Sequence, residues 1–245
     1  EGDVDHYKRV RKELDNLGLA CTTVGLMTPE ANPISPEANL REAAVERFKR
    51  LLEWTATLKG QIMAGPFHSP LGVFSGAGPT EEEKKRAADV LHQAAEIAKS
   101  AGVTLAIEYL NRFECYFLTT AADTRALVKR VNHPNFRMMY DTFHANIEEK
   151  NIAETIASVA DSFVHVHISE NDRGTPGTGH VQWDETFRAL RKAKYDNWLV
   201  IESFGRALPA LAAATKVWRD LFPAAEEVYT HGLRFMKEKW SAARI

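Results

Sequence analysis

Four side chains of this 245-residue chain stand at or near the C-terminal ends of short apolar runs and could together hold a divalent cation. They are Glu108 in TLAIEYL, Asp141 in RMMYDTFH, His167 in VHVHIS and Glu202 in LVIESF. In a strand, successive side chains point to opposite faces. Thr104, Ala106 and Glu108 therefore share one face, and Leu105, Ile107 and Tyr109 the other. The same alternation sets Met139 with Asp141, His165 with His167 and Val200 with Glu202, against Met138 with Tyr140, Val164 with Val166 and Leu199 with Ile201. If the aliphatic faces meet helices, the four ionisable groups point inward, where burial is costly unless a cation neutralises them. Any one of them alone reads better as a loop cap, an ion-pair member or a hydrogen-bonded core histidine than as a ligand; the set is what points to a metal. Three carboxylates and one imidazole suit Mn²⁺, with Mg²⁺ or Co²⁺ as alternatives, and leave coordination positions open for a substrate.

The elements that must position these residues follow from the pattern of short apolar runs alternating with segments of helical period, which predicts βα units and a parallel sheet. The expected strands are Leu19–Met27, Gln61–Phe67, Val103–Leu110, Phe136–Thr142, Phe163–Ser169 and Trp198–Ser203. Gly18 and Gly102 stand just past helix ends, Pro79-Thr80 followed by three glutamates opens a helix running to Ser100, and Thr119 or Thr120 precedes a helix over Ala121–Val131. Four connections rich in Gly, Pro and polar residues are read as loops: His68–Pro79, Asn111–Leu118, His144–Asn151 and Glu170–Asp184. In parallel α/β folds such loops, at the C-terminal ends of strands, build the site. No linker or composition shift divides residues 1–245, so one domain is expected. Six strands do not comfortably close a parallel barrel and eight do, which leads to the expectation that two strands and one helix precede Glu1.

Bulk properties narrow the partners. Lys and Arg (31) nearly balance Asp and Glu (33), with both signs interspersed, so neither nucleic acid nor an anionic membrane is an expected partner. A small molecule is. Two cysteines, Cys21 and Cys115, form no CxxC-like pair and read as reduced core thiols of a cytoplasmic protein. No apolar run approaches the roughly 20 residues that span a bilayer.

At these segments the chain resembles the xylose isomerase-like sugar isomerase/epimerase superfamily, and within it the ketose 3-epimerases of the D-tagatose and D-psicose 3-epimerase type. The resemblance covers nearly the whole chain and is most specific in IEYLNRFE, YDTFHANIEE, HVHISENDRGTPGTGHVQW and IES. It implies an α/β fold, the (β/α)8 TIM barrel, with one divalent metal on Glu108, Asp141, His167 and Glu202. It also implies substrate contacts from Glu114, His144 and Arg173, and a second duty for Glu108 and Glu202 as the acid–base pair. On that reading the metal chelates the C2 carbonyl and C3 hydroxyl oxygens of a ketose. One glutamate then removes the C3 proton and the other returns one to the opposite face, through a cis-enediolate. A homodimer or tetramer is also expected.

His68 stands where the ketose 3-epimerases usually carry an aromatic residue, and reads either as a strand-end cap or as a contact to a sugar hydroxyl. His180 and Trp183 fall in a glycine-rich cover loop that is either mobile or tightly turned, and Trp183 is expected to pack that loop down. The segment KVWRDLFPAAEEVYTHGLRFMKEKW reads as two amphipathic helices separated by Pro223, with its aromatic residues in the core. Three other activities fit the same scaffold: an aldose–ketose or hydroxypyruvate-type isomerase, a metal-dependent endonuclease, and a non-catalytic sugar-binding protein. The charge balance disfavours the endonuclease, and no Gly-rich phosphate loop appears, which favours free sugars.

Overall fold

A computed structural model describes residues 2–243. In chain order the elements are α1 (Val4–Asn16), β1 (Thr23–Val24), α2 (Ala38–Thr57), β2 (Ile62–Gly65), α3 (Glu81–Ser100), β3 (Thr104–Ile107), α4 (Ala121–Val131), β4 (Phe136–Asp141) and α5 (Thr142–Glu148). They continue with α6 (Ile152–Val159), β5 (Phe163–Ile168), α7 (Trp183–Lys192), β6 (Trp198–Ile201), α8 (Pro209–Thr215) and α9 (Ala225–Ala242). The six expected strands all form. The residues group into two compact units: one runs up to Met139 and includes Ser162–Val164, the other holds Tyr140–Asp161 and the chain from His165 onward.

In the first unit, β1 pairs in parallel with β2, β2 with β3, and β3 with the start of β4. Helix α3 shows how sequence dictates its element. Thr80 accepts from the Glu83 backbone N–H through Oγ1, and the Glu83 carboxylate accepts from the Thr80 N–H at 2.7 Å, a reciprocal capping box. Its buried face, Ala87, Ala88, Val90, Leu91, Ala94, Ala95 and Ala98, recurs at helical spacing. Thr80→Ala removes one half of the box, and the expected cost is about 1 kcal/mol. A melt should fall by about 2–4 °C with no change in metal binding.

The second unit is built on β5 and β6, paired in parallel with His167 opposite Val200. Thr142 links the start of α5 to the end of β5: its hydroxyl donates to the Ser169 carbonyl at 2.7 Å and accepts from the Ser169 N–H at 2.8 Å. Aromatic rings hold α7 against α9. Phe235 meets Trp183 edge-on at 5.3 Å between centroids, and Phe187 sits 6.4 Å from both Phe235 and Trp240.

Three expectations need correction. The strand read over Leu19–Met27 is two residues long. Its ladder stops at Gly25, whose carbonyl lies so close to Gly65 that a Cβ there would stand 2.5 Å away. The segment after Asp141, read as a loop from His144, is helix α5, because Asp141 caps it. Upstream of Pro223 there is no helix over 216–223: α8 ends at Thr215, where Lys216 turns left-handed at φ 61°. Trp218, assigned to the core by its type, is 70% exposed there, and Tyr229 is 58% exposed.

Candidate functional site

Asp141 ends β4, and its two carboxylate oxygens have different work. Oδ1 accepts from the backbone N–H groups of Phe143 at 2.6 Å and His144 at 3.2 Å, capping α5. Oδ2 is buried and accepts no hydrogen bond of good geometry; its neighbours are His167 Nδ1 at 3.3 Å and Arg173 Nη1 at 3.6 Å. His167 Nδ1 also stands 3.2 Å from Glu202 Oε1, and Arg173 Nη1 donates to Glu202 Oε2 in a very short contact. Glu108 stands one residue past β3, in the first unit. Within the second unit one ligand atom from each of Asp141, His167 and Glu202 lies within 4.8 Å of the others.

The electrostatics are those of a site short of positive charge. Burial pushes the Asp141 carboxyl above its usual range, and the neighbouring Glu202 charge adds to that. Burial pushes Glu202 up as well, but the Arg173 guanidinium and His167 more than cancel it and hold the carboxyl well below the usual range. In formal charges, the Asp141 and Glu202 carboxylates against one guanidinium leave one negative charge within the second unit, which favours a divalent cation there. The orphaned Asp141 Oδ2 and the mixed oxygen and nitrogen donor set fit such an ion.

Arg173 and His144 complete the cluster. Arg173 Nη2 is 3.1 Å from His144 Nε2, and Nη1 donates to Ser169 Oγ at 3.1 Å. The guanidinium lies 3.7 Å from the centre of the Phe143 ring and 5.1 Å from that of Phe204, so its charge is held between aromatic faces. Glu114 and His68 have local partners instead. Glu114 Oε1 accepts from Asn111 Nδ2 at 2.8 Å. His68 is fully buried, its Nδ1 2.8 Å from Ser69 Oγ and its ring tilted on Phe117 at 5.7 Å, and burial drives its pKa down to about 3. It is therefore a neutral imidazole at physiological pH. His180 is exposed, whereas Trp183 is buried and packs its loop down as expected.

Ser169 and Phe143 were not singled out from the sequence. Alternation would have found Ser169, since it follows His165 and His167 on the same face. No sequence signal marks Phe143, whose role depends on where the Arg173 backbone goes.

The family model described as "Xylose isomerase-like TIM barrel" matches residues 2–239. The chain belongs to that family. A D-psicose 3-epimerase of Agrobacterium fabrum is 33% identical to this xylose isomerase-like chain over 218 residues, 89% of it and 75% of the relative. A probable ketose 3-epimerase of Synechocystis is 33% identical over 178 residues, 73% of the chain but 62% of that relative's length. A solved D-psicose 3-epimerase in the presence of D-fructose superposes with a TM-score of 0.90 at 30% identity, covering 98% of the chain and 85% of that structure. The relatives are epimerases, so the chain sits in a lineage of isomerase-class enzymes of the TIM-barrel type. No described helix is long and apolar enough to cross a membrane.

Proposed function

We propose that the chain is a divalent-metal-dependent ketose 3-epimerase acting on a free sugar, with Glu108 and Glu202 as the acid–base pair. The observation that carries this reading is the cluster of Asp141, His167 and Glu202 with the Arg173 fork and His144 beside it. The relatives' names supply the ketose and the carbon; the residues supply a route.

A proton on the carbon next to a carbonyl is removed only when the charge that develops on oxygen is stabilised. Glu108, Asp141, His167 and Glu202 would hold a divalent cation, Mn²⁺ on the donor set, which would supply Lewis-acid stabilisation of that charge. Glu202, held ionised by Arg173 and His167, is ready to accept a proton from C3. Glu108 delivers one to the opposite face, and the enediolate collapses with C3 inverted. Arg173 and His144 would contact the oxygens of C1 and C2 as they gain charge, the guanidinium donating hydrogen bonds to them. Glu114 and His68 belong to the wall that sets which sugars fit.

Arg173→Ala is expected to lower kcat by roughly 10²-fold, the size of effect seen when one fixed donor to a developing oxyanion is lost. Metal affinity should not weaken, because the variant site is more negative. Arg173→Lys should recover only part of the rate, since an ammonium cannot reproduce the fork. Titration of Mn²⁺ alongside steady-state kinetics checks both. The reading itself is tested by incubating the Mn²⁺-loaded, full-length protein with a panel of ketoses and with hydroxypyruvate. C3 epimers are the expected products. Aldoses would instead assign the site to a 1,2-isomerase, and binding without turnover to a sugar-binding protein.

A further inference from the structure

The loop that carries Arg173, ENDRGTPGTGHVQW, is wrapped around a single carboxylate. Glu170 is fully buried, and its two oxygens accept four N–H groups. Oε1 takes the backbone N–H of Asn171 and of Val181, each at 3.1 Å. Oε2 takes the Gly177 N–H at 2.8 Å and the Trp183 indole N–H at 2.9 Å. The donors come from the beginning, middle and end of the loop. Among the described residues no cationic side chain pairs with Glu170, so these four charge-assisted bonds replace its hydration. Burial pushes its carboxyl up, and the four donors outweigh that and keep it ionised.

The glycines of the loop are explained by this arrangement. A Cβ on Gly179 would lie 2.1 Å from Asn171 Oδ1 and 2.7 Å from Glu170 Cγ, and Gly177 turns left-handed at φ 90° to aim its N–H at Oε2. Of the two readings open for this loop, the tight turn is the one realised. The same wrapping fixes Arg173. Its N–H donates to the Glu170 carbonyl at 3.0 Å, and its carbonyl accepts from Ser203 Oγ at 2.7 Å and the Phe204 N–H at 3.0 Å. Between those anchors the Arg173 backbone is held at φ 68°, a conformation an arginine rarely adopts unaided.

We propose that Glu170 is a positioning residue, a buried carboxylate around which the 171–183 loop folds so that the Arg173 guanidinium is delivered to Glu202 and His144. The proposal rests on the reading above in so far as Arg173 serves a reaction. Glu170→Gln is the informative change. Each oxygen faces two donors, so an amide turned either way sets its own NH₂ against two N–H groups and forfeits two of the four bonds.

The test compares wild type, Glu170→Gln, Arg173→Ala, the double variant and Trp183→Phe. By NMR, Glu170→Gln is expected to move both the Trp183 indole N–H and the Arg173 Nε–H resonances and to speed amide exchange at Gly177 and Val181. Trp183→Phe, which removes one donor of four, should move Arg173 Nε–H in the same direction by less, and it serves if the glutamine variant does not fold. In ketose turnover Glu170→Gln should lose about 10²-fold in kcat/KM, the size expected when a reacting group is misplaced by about 1 Å. Acting through Arg173, it should cost little further in the double variant. An unmoved Arg173 resonance, wild-type kcat/KM, or losses that multiply in the double variant would overturn the proposal. If the wild type turned over no ketose the functional reading would fail, while the Arg173 resonance would still decide the role of Glu170.

Discussion

Glu202→Gln is expected to abolish epimerisation, lowering kcat by roughly 10³-fold or more, because general acid–base catalysis by a placed side chain contributes about 10²–10⁴-fold and the same residue is a metal ligand. Glu108→Gln should do the same. The two variants nevertheless differ in a way that isolates their roles. If each glutamate serves one face of C3, the variant that keeps Glu108 still removes the proton from one epimer, and the variant that keeps Glu202 from the other. Each should therefore exchange C3 hydrogen with solvent from one epimer only, without forming its partner. Exchange from both epimers in either variant would point to a single base, and exchange at C1 to an isomerase. Mass spectrometry of recovered sugars from deuterated solvent reads all three outcomes.

The second large effect concerns the metal. Mn²⁺ supplied at about 100 times its dissociation constant is expected to stabilise the protein by about 2.7 kcal/mol, a rise in melting temperature on the order of 5–10 °C, and chelation should reverse it. Asp141→Asn should remove most of that response and weaken metal binding by about 100-fold or more, beyond what loss of an outer hydrogen-bond partner costs. Its amide oxygen can still accept from the Phe143 and His144 N–H groups, so α5 and the circular dichroism should survive. Calorimetric Mn²⁺ titration and thermal melts of both proteins check this. A wild-type melt indifferent to Mn²⁺ would mean that the cluster is an ion-pair network built around Arg173.

Much of the site was legible because it obeys period-two alternation. Glu108, Asp141, His167 and Glu202 could be picked from strand ends by counting, and the helices with strong punctuation, α3 behind Thr80 and α4 behind Thr120, start where the caps place them. What escaped depends on groups that serve two purposes or on backbone geometry without a sequence mark. The run YDT reads as the end of a strand and the segment from His144 as a loop, and nothing local announces that Asp141 caps a helix as well as ending the strand. Glu170 drew no attention as one acidic residue among polar neighbours; only the convergence of four N–H groups reveals its part. Strand β1 was overextended because apolar content carries no information about the close approach of Gly25 and Gly65. Trp218 was assigned to the core by residue type, which ranks burial on average and not at a given position.

The central claim, C3 epimerisation at the Glu108, Asp141, His167 and Glu202 cluster, is tested most directly by one labelling experiment. Mn²⁺-loaded, full-length protein is incubated with a ketose in D₂O, and both sugars are followed by NMR from the first turnover. The account predicts deuterium at C3 of the newly formed epimer, little label in the unreacted ketose at early times, and no signal after chelation. Deuterium at C1 with aldose formation, or epimer formed at an unchanged rate without metal, would contradict it.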